Sequence, residues 1–185
     1  TCYFDEMISP IDAGIRMPKG EKIFVFFDNL NLMAYKSTGN FKFGLNYPGL
    51  VLKDKTLGAI GKEFNRLENV EGFSGNIIDL SSPPFKGNYE DLFQLCGVDG
   101  NVTVENYEEN YKLDFQWDPL HFASVLMWVS NNGRTEYPWN SNHITMGFEP
   151  ITSAFGLSTH VSTNSKNPIA KRNIPTSIKL FKNKP

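Results

Sequence analysis

Glu149 closes an apolar, strand-like run, Met146-Gly147-Phe148-Glu149-Pro150, and lies close in sequence to Val125-Leu126-Met127-Trp128 and Tyr137-Pro138-Trp139. A carboxylate beside aromatic rings is the chemistry a sugar pocket uses. Ring faces meet the C–H faces of the sugar, and the carboxylate accepts a hydroxyl proton. A carboxylate among aromatic walls also loses hydration and can exchange protons near neutral pH, as a general base must. The competing reading is a solvent-facing carboxylate at a strand end, the commoner fate of glutamate. Trp139 falls in the Pro- and Asn-rich segment 131–142 and is the better pocket candidate, because loops carry sites. Trp117 and Trp128 lie inside strand-like runs, where aromatic side chains usually fill the core.

Other groups offer less. The histidines are His121, His143 and His160, and no His-x-x-x-His pair marks a zinc site, so no metal is expected. His143 precedes Glu149 by six residues, an even separation that puts both on one strand face but about 20 Å apart. Glu90-Asp91 and Glu108-Glu109 read as solvated turns, with Asp91 a candidate hydroxyl-binding acid at a pocket rim. There is no Gly-x-Ser-x-Gly elbow and no Gly-x-Gly-x-x-Gly loop, so neither a hydrolytic triad nor a nucleotide cofactor is expected.

The elements that must hold these residues are mostly strands. Period-two or apolar runs occur at Lys22–Phe27, Gly75–Leu80, Ser124–Val129, His143–Glu149 and Thr176–Phe181. Asn101–Asn106 and Tyr111–Trp117 alternate about a turn at Glu108-Glu109-Asn110 and predict an antiparallel hairpin. One helix is predicted over Lys55–Leu67 from Leu57, Ile60, Phe64 and Leu67, against the drag of Gly58 and Gly61. Many short strands between Gly, Pro and Asn clusters predict an all-β antiparallel sandwich or barrel, in one domain spanning 1–185.

Composition agrees with a globular chain: 185 residues, 40% hydrophobic and 21% charged, with 15 phenylalanines. A formal charge of −2 lacks the basic footprint of a nucleic-acid binder, and no apolar run reaches the ~20 residues that span a bilayer. Cys2 and Cys96 read as two thiols rather than a necessary disulfide, and Asn101-Val102-Thr103 is a glycosylation sequon of a kind that arises by chance. Compartment is nearly open, with a lean to the cytoplasm.

The stretch Leu126-Met127-Trp128, Gly133, Pro138-Trp139 and Met146-Gly147-Phe148-Glu149-Pro150-Ile151-Thr152 resembles the C-terminal half of the aldose 1-epimerase (galactose mutarotase-like) superfamily. Tyr89-Glu90-Asp91-Leu92-Phe93 and the hairpin to Trp117 look like the family's preceding strands, and Ala13-Gly14-Ile15-Arg16-Met17-Pro18 is weakly similar to the hairpin after its histidine motif. The resemblance implies a large antiparallel β-sandwich whose concave face binds a hexose without a cofactor. A glutamate takes the anomeric proton, a histidine protonates the ring oxygen, and the opened sugar recloses as the other anomer. Glu149 matches the glutamate and Asp91 the hydroxyl-binding acid; the residues themselves add Trp128, Trp139 and His143 as further substrate contacts, with His143 one substitute for the missing acid. The chain departs from the family in being short and in having no histidine among residues 1–120, where the acid should lie. These departures imply a sandwich truncated at its N-terminus, which would leave strand edges for a homo-oligomer or a missing N-terminal segment to cover. They also raise an alternative, a carbohydrate-binding β-sandwich module without catalysis.

Overall fold

The computed structural model describes the backbone of residues 32–36 and residues 41–46, 55–81, 86–106, 110–142 and 144–181. The predicted strand Lys22–Phe27, Cys2 and His143 lie outside the described residues. The described chain is all-β and antiparallel. Ten strands run in order: β1 (Leu32–Lys36), β2 (Phe43–Asn46), β3 (Glu63–Phe64), β4 (Val70–Glu71), β5 (Ile77–Ile78), β6 (Tyr89–Cys96), β7 (Asn101–Asn106), β8 (Tyr111–Gln116), β9 (Ser124–Asn131) and β10 (Ile144–Ile151). They form a five-stranded sheet ordered β10-β9-β6-β2-β3, a three-stranded sheet β1-β7-β8, and the small pair β4-β5.

Alternation decides what each face of the larger sheet buries. Phe93 of β6 stands beside Met127 of β9, which stands beside Phe148 of β10. These residues, with Leu95, Val125, Val129 and Met146, share one apolar cluster with Val102 and Val104 of β7. The two sheets therefore enclose a common core, and side-chain burial of this kind supplies most of the driving force. The opposite face of β6 and β9 carries Leu92, Leu126 and Trp128 in a second cluster with Trp139. β6 is buried along its whole length because both of its faces and both of its edges are occupied.

The hairpin predicted from alternation is present, as β7 paired with β8. The sequon lies within it: Thr103 is buried and donates its hydroxyl to Asp114 at 2.6 Å. β9 and β10 also match the expected runs, each extended at its C-terminal end. Gly75–Leu80 pairs only at Ile77–Ile78.

Three expectations are corrected. Lys55–Leu67 is not a helix: Gly61 takes φ +76, Gly58 bridges to Gly72, and Glu63–Phe64 joins the sheet beside β2. Gly44 permits that pairing, since a Cβ there would stand 2.2 Å from the Phe64 ring. Thr176–Phe181 forms no strand; Thr176 is buried and hydrogen-bonded to Asn167 and Ser162, while Leu180 is exposed. Glu90 and Asp91 do not form a solvated turn but sit buried in the central strand. Cys96 is a buried free thiol whose burial pushes its pKa to about 12. No helix among the described residues is long and apolar enough to cross a membrane.

Candidate functional site

The register sorts the expected site residues onto two faces. Glu149 stands beside Leu126, which stands beside Gln94. One row along, Gly147 is opposite Trp128 and Trp128 opposite Leu92; two rows along, Thr145 is opposite Ser130 and Ser130 opposite Glu90. Even spacing along β6, β9 and β10 keeps these residues on one face. Glu149 is only 4% exposed, so its carboxylate has been taken into the protein.

Trp128 and Trp139 come together on this face with ring centroids 6.3 Å apart in an edge-on arrangement. The connection between β9 and β10, residues 132–142, brings Trp139 back over the sheet. Its guanidinium group, Arg134, lies over both indoles, 5.7 Å from Trp128 and 5.1 Å from Trp139. Arg134 Nε donates to Glu90 Oε1 at 2.5 Å, and the Trp128 indole N–H donates to the same oxygen at 3.1 Å. A planar cation stacked on aromatic rings and bonded to a carboxylate is the geometry arginine favours. Trp128 is 3% and Trp139 8% exposed, so both indoles are covered, whereas Tyr137 on the same connection is 87% exposed.

Gly133 fixes where that connection crosses β6. A Cβ on Gly133 would lie 2.3 Å from the Tyr89 carbonyl, and backbone cannot yield as a flexible side chain does. Lys55 Nζ donates to the Gly133 carbonyl from the other side. Gly133→Ala is expected to cost about 3 kcal/mol, the upper end for overpacking. Urea unfolding would read this as a lower midpoint, and an unchanged midpoint would mean the crossing is loose.

A second segment crosses the same face near Glu149. Gln94, in the Glu149 row, donates Nε2 to the Ser153 carbonyl at 2.9 Å and accepts the Phe155 N–H at 3.2 Å. The chain after β10 is therefore pinned over the sheet, and Phe155 packs against the Leu92, Leu126 and Trp128 cluster. Further on, Asn167 bonds Thr176 and the backbone around Ser162, holding the C-terminal segment in its fold.

Asp91 is on the opposite face, three positions from Gln94 in β6 and level with Val129 and Met146. Its Oδ2 accepts the backbone N–H groups of Leu57 and Gly58, at 2.9 and 2.7 Å. Desolvation raises its pKa from 3.8 to about 7, against those two bonds, which favour the charged form. Asp91 thus ties the segment after Lys55 to the central strand from within the core and does not share a face with Glu149.

The arrangement brings Glu149, Trp128 and Trp139 together and adds Glu90 and Arg134, which sequence reading passed over. Glu90 and Glu149 are two strands and four residues apart, roughly 17 Å by strand spacing and rise. They would address different ends of a ligand, not share a proton. His121 is 66% exposed at its side chain, and its Nδ1 lies 2.6 Å from Asp118 Oδ2 in a surface turn. Among the described residues no group of three or more His, Cys, Asp or Glu side chains is placed to hold a metal. Open hollows of about 320 and 290 Å³ lie along the C-terminal segment, one between Thr152 and Ser177 and the other between Thr163 and Ser177, and neither is lined by Glu149. No family model matches the chain, and neither a curated protein nor a solved structure does.

Proposed function

We propose that the chain is an aldose 1-epimerase-like protein that binds a hexose or a related sugar on the Glu149 face of its larger sheet. In this reading Glu149 is the base that takes the anomeric hydroxyl proton and lets the ring open. The observation that carries it is the burial of Glu149 on the same sheet face as the Trp128–Trp139 pair and the Glu90–Arg134 ion pair. A sheet face that buries carboxylates beside indoles and a paired guanidinium offers acceptors, donors and apolar walls, the mixture by which proteins hold polyols. Burying two carboxylates here costs stability that an apolar face would not, which is expected where a site is built rather than a core.

Polarimetry of freshly dissolved α-glucose or α-galactose tests the reading. The protein is expected to hasten the approach to the equilibrium rotation; a rate equal to that of buffer for both sugars would sink it for those substrates. The alternative is a carbohydrate-binding module without catalysis. The covering of both indoles favours it. Saturable glycan binding without anomer interconversion would select that alternative.

A further inference from the structure

The β9–β10 connection does two things at once: it covers Trp128, and it supplies the cation on which the buried Glu90 depends. We propose that residues 134–142 are a lid over the candidate sugar face, hinged where Asn132 and Gly133 are held against Tyr89 of β6 and latched by the Arg134–Glu90 ion pair, and that a ligand reaches Trp128 only when the latch opens. This inference rests on the sugar reading for what enters, but not for the lid itself.

Glu90 Oε2 is enclosed and accepts no hydrogen bond from a described residue, so Oε1, shared by Arg134 and the Trp128 indole, carries all of its pairing. Removing Arg134 alone would strand a buried charge, which is strongly unfavourable. Lifting residues 134–142 together is different, because Arg134 and Glu90 then return to water together and neither charge is stranded. The side chain of Arg134 is 29% exposed, against 5% for Glu90, so the cation is the outer partner and leaves with the loop. Trp139 travels with it, since its position is fixed within the loop by the bond from its N–H to the Glu136 carbonyl, and the Ser141 N–H closes the loop onto Arg134. These bonds lie within residues 134–142, so the segment can leave the sheet as one unit without losing them, the behaviour expected of a two-state element. Tyr137, exposed on the outer surface of the same loop, lies where an arriving sugar could stack before entry.

Limited trypsin digestion of the native chain tests this, because the Arg134–Thr135 bond is cleavable only when the loop departs from the sheet. Glu90→Gln and Arg134→Lys both weaken the latch yet leave a trypsin site at position 134. Each is expected to speed cleavage there at least tenfold, while cleavage elsewhere and the cooperative thermal transition stay near wild type. Unchanged cleavage at position 134 in both variants would overturn the lid. So would equal acceleration at every site, since the loop would then open only with the sheet. Stopped-flow tryptophan fluorescence with D-galactose as probe supplies the second reading: faster association in both variants supports gated entry, and an unchanged association rate overturns it. If cleavage at 134 accelerates and the wild type binds neither galactose nor glucose, the lid stands and the sugar reading falls.

Discussion

Asp91→Asn is expected to remove a pH dependence of stability that the wild-type chain shows between about pH 4 and pH 7. Asp91 is fully enclosed in β6, and desolvation holds its pKa at about 7 in the folded chain, above the ordinary 3.8. Between these values the folded protein keeps a proton that the unfolded chain has released. Stability therefore falls as pH rises through that window, is full below about pH 4, and levels off above about pH 7. A displacement from 3.8 to about 7 corresponds to on the order of 4 kcal/mol. Asparagine keeps a carbonyl oxygen for the Leu57 and Gly58 N–H groups and carries no charge to desolvate.

The variant should match the wild type near pH 4 and exceed it at pH 8, by about 10 °C in melting temperature for a chain of this size. Other carboxylates act lower. Asp114 and Asp118 are held below the ordinary range, chiefly by the Thr103 hydroxyl and the Leu120 N–H respectively, so whatever they contribute is lost only as the solution becomes acidic. Comparing variant with wild type from pH 5 to pH 8 cancels the histidines. Parallel curves across that range would show that Asp91 does not carry the dependence.

Asp91 also shows why the central strand was only partly legible. Glu90-Asp91 looks like a turn because two adjacent acids are normally solvated. What makes them tolerable inside a sheet is supplied from far away in sequence: Leu57 and Gly58 for Asp91, Arg134 for Glu90, Ser153 and Phe155 for Gln94. The hairpin β7–β8 needed no such help. Val102 and Val104 turn to the shared core while Thr103, on the opposite face, is covered and bonded to Asp114, and the pattern is complete within sixteen residues. The apparent helix over 55–67 had the opposite fault, a period made by accident. Phe64 and Leu67 are buried as the pattern implied, but in a short strand and a turn that the glycines allow.

The candidate site was half legible for the same reason. Glu149, Trp128 and Trp139 share a face, as their nearness in sequence suggested, because a hairpin brings neighbours in sequence together. Asp91 lies on the face opposite Glu149, and its neighbour Glu90 shares the Glu149 face. Alternation of Glu90, Leu92 and Gln94 held that information, and reading it required knowing that the run was a strand. Arg134 carried a signal too. It lies between two tryptophans in sequence, where a cation finds both rings once the loop folds back.

Glu149→Gln separates the three roles that a buried glutamate on this face can have. Glutamine preserves the length of the side chain and a carbonyl acceptor, and loses the ability to take a proton. If Glu149 is the base in mutarotation, the acceleration above the uncatalysed rate is expected to fall by roughly 10²- to 10⁴-fold, the usual contribution of a positioned general base. Sugar affinity should fall much less, because the carbonyl oxygen still accepts from a hydroxyl. If the chain only binds carbohydrate, the wild type shows no acceleration to lose, and the variant changes affinity alone. If Glu149 serves the fold, neither rate nor binding exists, and the variant alters only the unfolding midpoint. Polarimetry, calorimetric titration with galactose and urea unfolding on the same two proteins distinguish these outcomes. An accelerating wild type whose Glu149→Gln variant is equally fast would remove Glu149 from catalysis, and with it the correspondence to the epimerase glutamate.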